Sequence, residues 1–231
     1  MSMRFLNFKS PTSAKRLGLI LLMAWALTGC AALGQGRQGP SWRCSPEADA
    51  AVAKGDWAQA IALHEKILSQ QPTNCLAMYH LGYIWGSQGD RQKETTHYQW
   101  ALACGYDKDD QLFFNLGMAY GDLNQPQRAV ESLKRAVAVN RQNAENYFGL
   151  GLVSLAAGQA DFAQQAFAQA IALEPRHWEA RLALAKIFLD QSSWPDAQSQ
   201  LEAVLKAEPD NEEAQALWQT LKSRQRLQYE H

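Results

Sequence analysis

AENYFGLGLVSLAAGQADFAQQAFAQAIALEPRH, residues 144–177, is the stretch that decides the fold. Tyr147, Leu150, Gly151 and Leu152 recur at the three-and-four spacing of one helical face, and Gly158 interrupts the pattern. A second run with the same spacing follows through Ala163, Phe167, Ala170 and Ile171. Pro175 stops it, because proline lacks the amide that a helix interior donates. The stretch reads as two helices joined by a tight turn. Alanine, glutamine and leucine are abundant and alternating β-branched runs are absent, which favours an all-helical chain.

Copies of this unit lie on both sides. With Ala144 as position 1, position 8 is Gly151, matched by Gly117 and Ala185 at steps of 34 residues. Position 20 is Ala163, matched by Ala129 and Ala197, and position 24 is Phe167, matched by Leu133 and Leu201. Pro175 has a counterpart in Pro209. Two antiparallel helices approach closely only where side chains are small, and large residues then fill the layer around the contact. An earlier copy carries Leu81, Gly82, Trp85, Tyr98 and Ala101, and the first carries Trp57, Ala60, Ile61, His64, Ile67 and Pro72. The turn positions Gly55, Gly89, Asn124, Gly158 and Ser192 step by 34, 35, 34 and 34 residues, which puts one inserted residue between Cys104 and Asp110.

This period, with small residues at positions 8, 20 and 27, resembles the tetratricopeptide repeat. The resemblance implies an all-α, right-handed superhelical solenoid of about five helix hairpins, in repeats 41–74, 75–109, 110–143, 144–177 and 178–211. Residues 212–231 then form a capping helix and tail; its polar surface fits such a cap, which repeat arrays need to cover the last apolar face. The repeats that begin at Asp110 and Ala144 fit best. Arg141 stands where the third repeat should have proline, and Ser154 holds position 11 of the fourth. Glu94 stands where the second repeat should have a small residue. An unpaired buried carboxylate is costly, so a rotated helix that turns Glu94 to solvent is expected, with an internal polar site as the other reading.

In tetratricopeptide proteins the concave side is lined by positions of the first helix of each repeat. Positions 5 and 9 here are Tyr79 and Tyr83, Phe114 and Met118, Phe148 and Leu152, then Leu182 and Lys186. The lysine and asparagine clamp that chaperone-binding members use for a C-terminal carboxylate is missing. An aromatic and aliphatic stripe remains, which suits an apolar or helical protein segment.

The beginning of the chain is a leader and not part of the fold. Arg4, Lys9, Lys15 and Arg16 precede an apolar run over residues 17–26, well short of the roughly 20 residues that span a bilayer. Leu27-Thr28-Gly29-Cys30 resembles the bacterial lipobox. That resemblance implies a signal peptide over 1–29, acyl chains such as palmitate on Cys30, and no cofactor beyond that lipid. Ala31, where aspartate often retains such lipoproteins at the inner membrane, implies the outer membrane, facing the periplasm. Residues 30–41 make a Gly- and Gln-rich tether that reaches roughly 18 Å. Without the leader the chain has 18 basic against 23 acidic residues, or −5, which argues against nucleic acid as a partner.

Cys44, Cys75 and Cys104 would then face an oxidising compartment. All three fall near one edge of the solenoid. Cys44–Cys75 is slightly preferred as a disulfide, with Cys75–Cys104 as the alternative. No P-loop, HExxH, CxxC or G-x-S-x-G motif occurs, so no catalytic residue is expected. His64, His80, His97, His177 and His231 look scattered, and no metal site is expected. The lipobox-plus-repeat architecture resembles the pilotin lipoproteins of type IV pili and the repeat lipoproteins of tight-adherence pili. It implies a scaffold in pilus, secretin or secretion-system assembly, with an adaptor or regulator of an envelope hydrolase or protease as the alternative.

Overall fold

The computed structural model describes residues 45–229, so the leader, the lipobox with Cys30, the tether and Cys44 lie outside the described residues. Eleven helices run through the described part. They form five consecutive hairpins: α1 (Pro46–Lys54) with α2 (Trp57–Gln70), α3 (Cys75–Ser87) with α4 (Arg91–Cys104), α5 (Asp110–Asp122) with α6 (Pro126–Val139), α7 (Ala144–Ala156) with α8 (Ala160–Leu173), and α9 (Trp178–Asp190) with α10 (Trp194–Ala207). A last helix, α11 (Glu212–Tyr229), follows alone. Among the described residues there is no strand, and no helix is long and apolar enough to cross a membrane.

The turns inside the hairpins explain the regular step. Gly55, Gly89, Asn124, Gly158 and Ser192 all have positive φ, between 56° and 82°. The left-handed conformation ends one helix and reverses the chain within two or three residues. Helix starts are capped as well. Asn74, Asp109 and Asn143 accept backbone N–H bonds at the beginning of α3, α5 and α7, and Asn211 does so for α11.

Hairpin packing follows size complementarity at positions 8 and 24. A Cβ added at Gly82 would lie 2.5 Å from the Tyr98 ring, and one at Gly151 would lie 2.4 Å from the Phe167 ring. At Gly117 it would overlap the side chain of Leu133. In the fifth hairpin Ala185 and Leu201 make the same contact in milder form, both fully buried in one core cluster. The core is therefore a row of stacked layers rather than a single centre. The first helices of successive hairpins also touch one another, α3 with α5 and α5 with α7, while α9 touches α11. In a tetratricopeptide solenoid such a row of first helices is the expected lining of the inner side. Helix α11 closes the row with Ala214 and Leu221, both buried against α9 and α10, and Arg224 donates to the Leu189 carbonyl at the end of α9.

The extra residue found by the period lies in the connection after α4. Residues 105–109 link α4 to α5, one residue more than the links 71–74, 140–143, 174–177 and 208–211. Gly105 begins that connection with φ 107°.

Glu94 does not turn to solvent. It is 5% exposed, and a Cβ on Gly86 would come within 2.5 Å of its carboxylate. Glycine there admits the larger side chain at a position where the neighbouring hairpins use alanine. Arg91 neutralises it: Nη1 donates to Glu94 Oε2 at 2.7 Å and to the Gly86 carbonyl at 3.2 Å, while Nε pairs with Asp122 Oδ2 at 2.7 Å. The internal polar site is thus the reading that holds, and it ties α3, α4 and α5 together.

Candidate functional site

The six groove positions lie on three successive first helices: Tyr79 and Tyr83 on α3, Phe114 and Met118 on α5, Phe148 and Leu152 on α7. All six are half-buried. Each side chain therefore packs partly on the core and keeps part of its surface exposed. Phe114 lies over Gly149 of the next hairpin, where an added Cβ would come within 2.7 Å of its ring. Phe148 packs on Phe167, with ring centroids 5.8 Å apart, and on His177 at 4.7 Å. These contacts hold the Phe114 and Phe148 rings in place.

Its two ends differ. At the N-terminal end Tyr79 stacks on Tyr106 at 5.0 Å and leans on Tyr98 at 5.7 Å. Tyr106 belongs to the 105–109 connection, and its hydroxyl donates to Asp109 Oδ2 at 2.8 Å. Burial raises the Tyr79, Tyr98 and Tyr106 phenols above their ordinary value, so they stay neutral; the Tyr98 hydroxyl accepts from Asn115 Nδ2 at 3.3 Å. At the C-terminal end Leu182 is buried, and Lys186 pairs with Glu213 of α11. The half-open apolar stripe therefore runs over the second, third and fourth hairpins and stops there.

The disulfide preference needs correction. Cys75 bonds to Cys104, with Cα atoms 5.4 Å apart, and not to Cys44, which lies outside the described residues. The antiparallel partner wins because the start of α3 and the end of α4 meet at one end of the same hairpin. The bond pins the 105–109 connection that carries Tyr106.

Polar clasps between hairpins were not legible in the repeat pattern. Asn146, buried to 1% exposure, donates from Nδ2 to Asp110 Oδ2 at 2.8 Å and to the Ala136 carbonyl at 3.2 Å. Asn143 donates to the same Asp110 oxygen at 2.9 Å. The histidines are not all scattered either. His64 on α2 and His80 on α3 meet edge to face, with ring centroids 4.9 Å apart, and Asp49 on α1 lies beside them. Position 24 explains the placement, since His64 fills the hairpin slot that Tyr98, Leu133, Phe167 and Leu201 fill elsewhere.

Comparison with known proteins agrees with this geometry. Two family profiles described as tetratricopeptide repeat match residues 114–161 and 154–221. The chain is a tetratricopeptide-repeat solenoid. Among solved structures it is similar to MamA, at TM-score 0.69 and 23% identity over 72% of this chain and 97% of that one. YrrB, described as a tetratricopeptide-repeat protein with an unusual peptide-binding site, aligns at TM-score 0.68 and 23% identity over 74% of this chain and 88% of that one. A tetratricopeptide repeat protein from Parabacteroides merdae aligns at TM-score 0.67 and 19% identity, covering 78% of this chain and 72% of the other. At these identities the likeness concerns the fold. No curated protein sequence matches the chain.

Proposed function

We propose that this tetratricopeptide-repeat chain is a binding scaffold of the bacterial envelope, anchored by lipid on Cys30 at the outer membrane and facing the periplasm. Its inner stripe receives an apolar or helical segment of another envelope protein. The observation that carries this reading is the half-buried row of Tyr79, Tyr83, Phe114, Met118, Phe148 and Leu152, held in place from behind and open in front. Such rings offer large contact area without further ordering cost on binding. YrrB, similar in fold, is a tetratricopeptide-repeat protein with a peptide-binding site, which supports the same use here. The Cys75–Cys104 bond suits an oxidising compartment and supports the periplasmic address. The chain acts by holding and positioning, without chemistry of its own.

Within that reading, assembly of a pilus, secretin or secretion machine is the favoured setting, because the lipobox and repeats together resemble pilotin and tight-adherence lipoproteins. Deletion of the gene tests it. Loss of secretin or pilus multimers from the outer membrane is the expected result. Intact multimers with altered cell-wall turnover would instead assign the scaffold to a hydrolase. Cys30→Ala is expected to move the protein out of the membrane fraction, and retention there would overturn the lipid anchor.

A further inference from the structure

Asp49, His64 and His80 come from three helices, α1, α2 and α3, and belong to two different hairpins. One ligand atom from each lies within 4.8 Å of the others, and His80 Nδ1 is 3.6 Å from Asp49 Oδ1. His64 is the key residue. It is 1% exposed, and neither of its ring nitrogens has a hydrogen-bond partner among the described residues. A buried imidazole carries one donor and one acceptor, and leaving both unmade is costly. The equivalent slot in the other hairpins holds tyrosine, leucine or phenylalanine, so packing alone does not call for a histidine. The His80 ring, edge-on at 4.9 Å, does not make up the missing bonds.

We propose that Asp49, His64 and His80 bind a divalent first-row metal ion, zinc foremost, that clamps the first hairpin onto the second. Two imidazoles and a carboxylate are a nitrogen-and-oxygen set of the kind that suits zinc. Zinc bonds of about 2.0–2.1 Å put tetrahedral donors about 3.3 Å apart. The His80–Asp49 separation is already near that value, and a small inward rotation of the two rings closes the set. Asp49 and His80 are 14% and 22% exposed, so the ion has a way in and a fourth place remains for water. Burial lowers both histidines below their ordinary value, so the rings are neutral at pH 7, as ligands must be. The role is structural. The first hairpin carries the shortest helix, α1, and hangs at the end of the array next to the tether. An ion shared by three helices would hold it there.

The test uses the full-length chain in detergent, without a polyhistidine tag, stripped with chelator and dialysed against zinc chloride. Metal content is read by mass spectrometry and stability by thermal unfolding. One zinc per chain is expected, with a rise of several degrees in the unfolding midpoint. His80→Gln and Asp49→Asn, both at partly exposed positions, should weaken zinc binding at least tenfold and abolish the thermal shift while the chain stays folded. His64→Phe restores the side-chain type of the other hairpins, so it should stay folded and lose zinc as well. Cobalt in place of zinc should give the intense visible absorption of a four-coordinate site. No zinc retained by the parent chain, or equal zinc in all three variants, would overturn the proposal; the second outcome would mean an ion held elsewhere.

Discussion

The hairpins before residue 105 and those after residue 110 differ in the polar groups built into their closing contacts, although Gly82 and Tyr98 of the second hairpin still meet as small against large. In the third to fifth hairpins a small residue at position 8 takes a large apolar one from position 24, and the layers repeat with little change. In the first two, position 24 holds His64 and Tyr98, position 20 holds Glu94, and a disulfide joins Cys75 to Cys104. Polar groups there need specific partners: Arg91 serves Glu94, Asn115 serves Tyr98 and Asp49 pairs with His80, while both ring nitrogens of His64 have none among the described residues. A regular repeat stabilises itself through neighbours of any similar kind. An irregular one depends on particular pairs, each of which one substitution can remove. The N-terminal part is also the part that joins the tether.

That contrast can be broken in a definite order. Phe167 is fully buried and fills the fourth hairpin, so Phe167→Ala is expected to cost about 3–5 kcal/mol in chemical denaturation. Because it sits mid-array, it should also split unfolding into two transitions. A single cooperative transition with a small loss would contradict the size-complementary account. Reducing the Cys75–Cys104 bond, whose ends are 29 residues apart, should cost about 3 kcal/mol. Hydrogen exchange should show that loss in α3 and α4, with α7 to α10 unchanged. A uniform rise across all hairpins would mean that the two regions are not distinct.

Arg91→Ala comes next. It strips a buried carboxylate of its partner, but Arg91 is 37% exposed and water can enter, so about 2 kcal/mol is expected. Its pH dependence is sharper evidence. Burial holds the Glu94 carboxyl above its ordinary 4.5, partly offset by Arg91. The folded chain therefore keeps this proton after the unfolded chain has released it. Stability contributed by the protonated acid is full at low pH and is lost as pH rises through the folded value. Without Arg91 the folded value rises further, so the variant should lose more stability than the parent between pH 4 and pH 7. Parallel curves would show that the pair does not govern Glu94. The smallest effect belongs to Ser154, whose hydroxyl is buried with no partner among the described residues. Ser154→Ala should be neutral or stabilise by about 1 kcal/mol.

The fold was legible because its contacts repeat. Every 34-residue step superimposes the same pair of surfaces, so Gly151 and Phe167 identify Gly117 and Leu133 without a structure. Even the extra residue of the 105–109 connection showed as a step of 35. The pair contacts that break the rule were not legible. Whether Glu94 is buried depends on Gly86 and Arg91, and neither position is marked by the repeat. Asp49, His64 and His80 lie 15 and 16 residues apart, a spacing that fits no single helix face. Only the stacking of α1, α2 and α3 brings them together. Cysteine pairing failed for a similar reason: the repeat reading puts Cys44, Cys75 and Cys104 near one edge, and the sequence does not order their distances. Tyr106, which stacks on Tyr79, comes from an insertion that the repeat does not describe.

The scaffold account stands or falls on the inner stripe. The most direct measurement replaces Tyr83, Met118 and Leu152 together with serine and follows co-purification of secretin and pilus components from detergent-solubilised envelope. Helical circular dichroism is recorded alongside. The account expects recovery of those components to fall by roughly tenfold or more, as when central apolar anchors are removed, with the helical signal unchanged. Full recovery by a folded variant would contradict it, and so would loss of the helical signal, since that would make the stripe part of the core rather than a docking face.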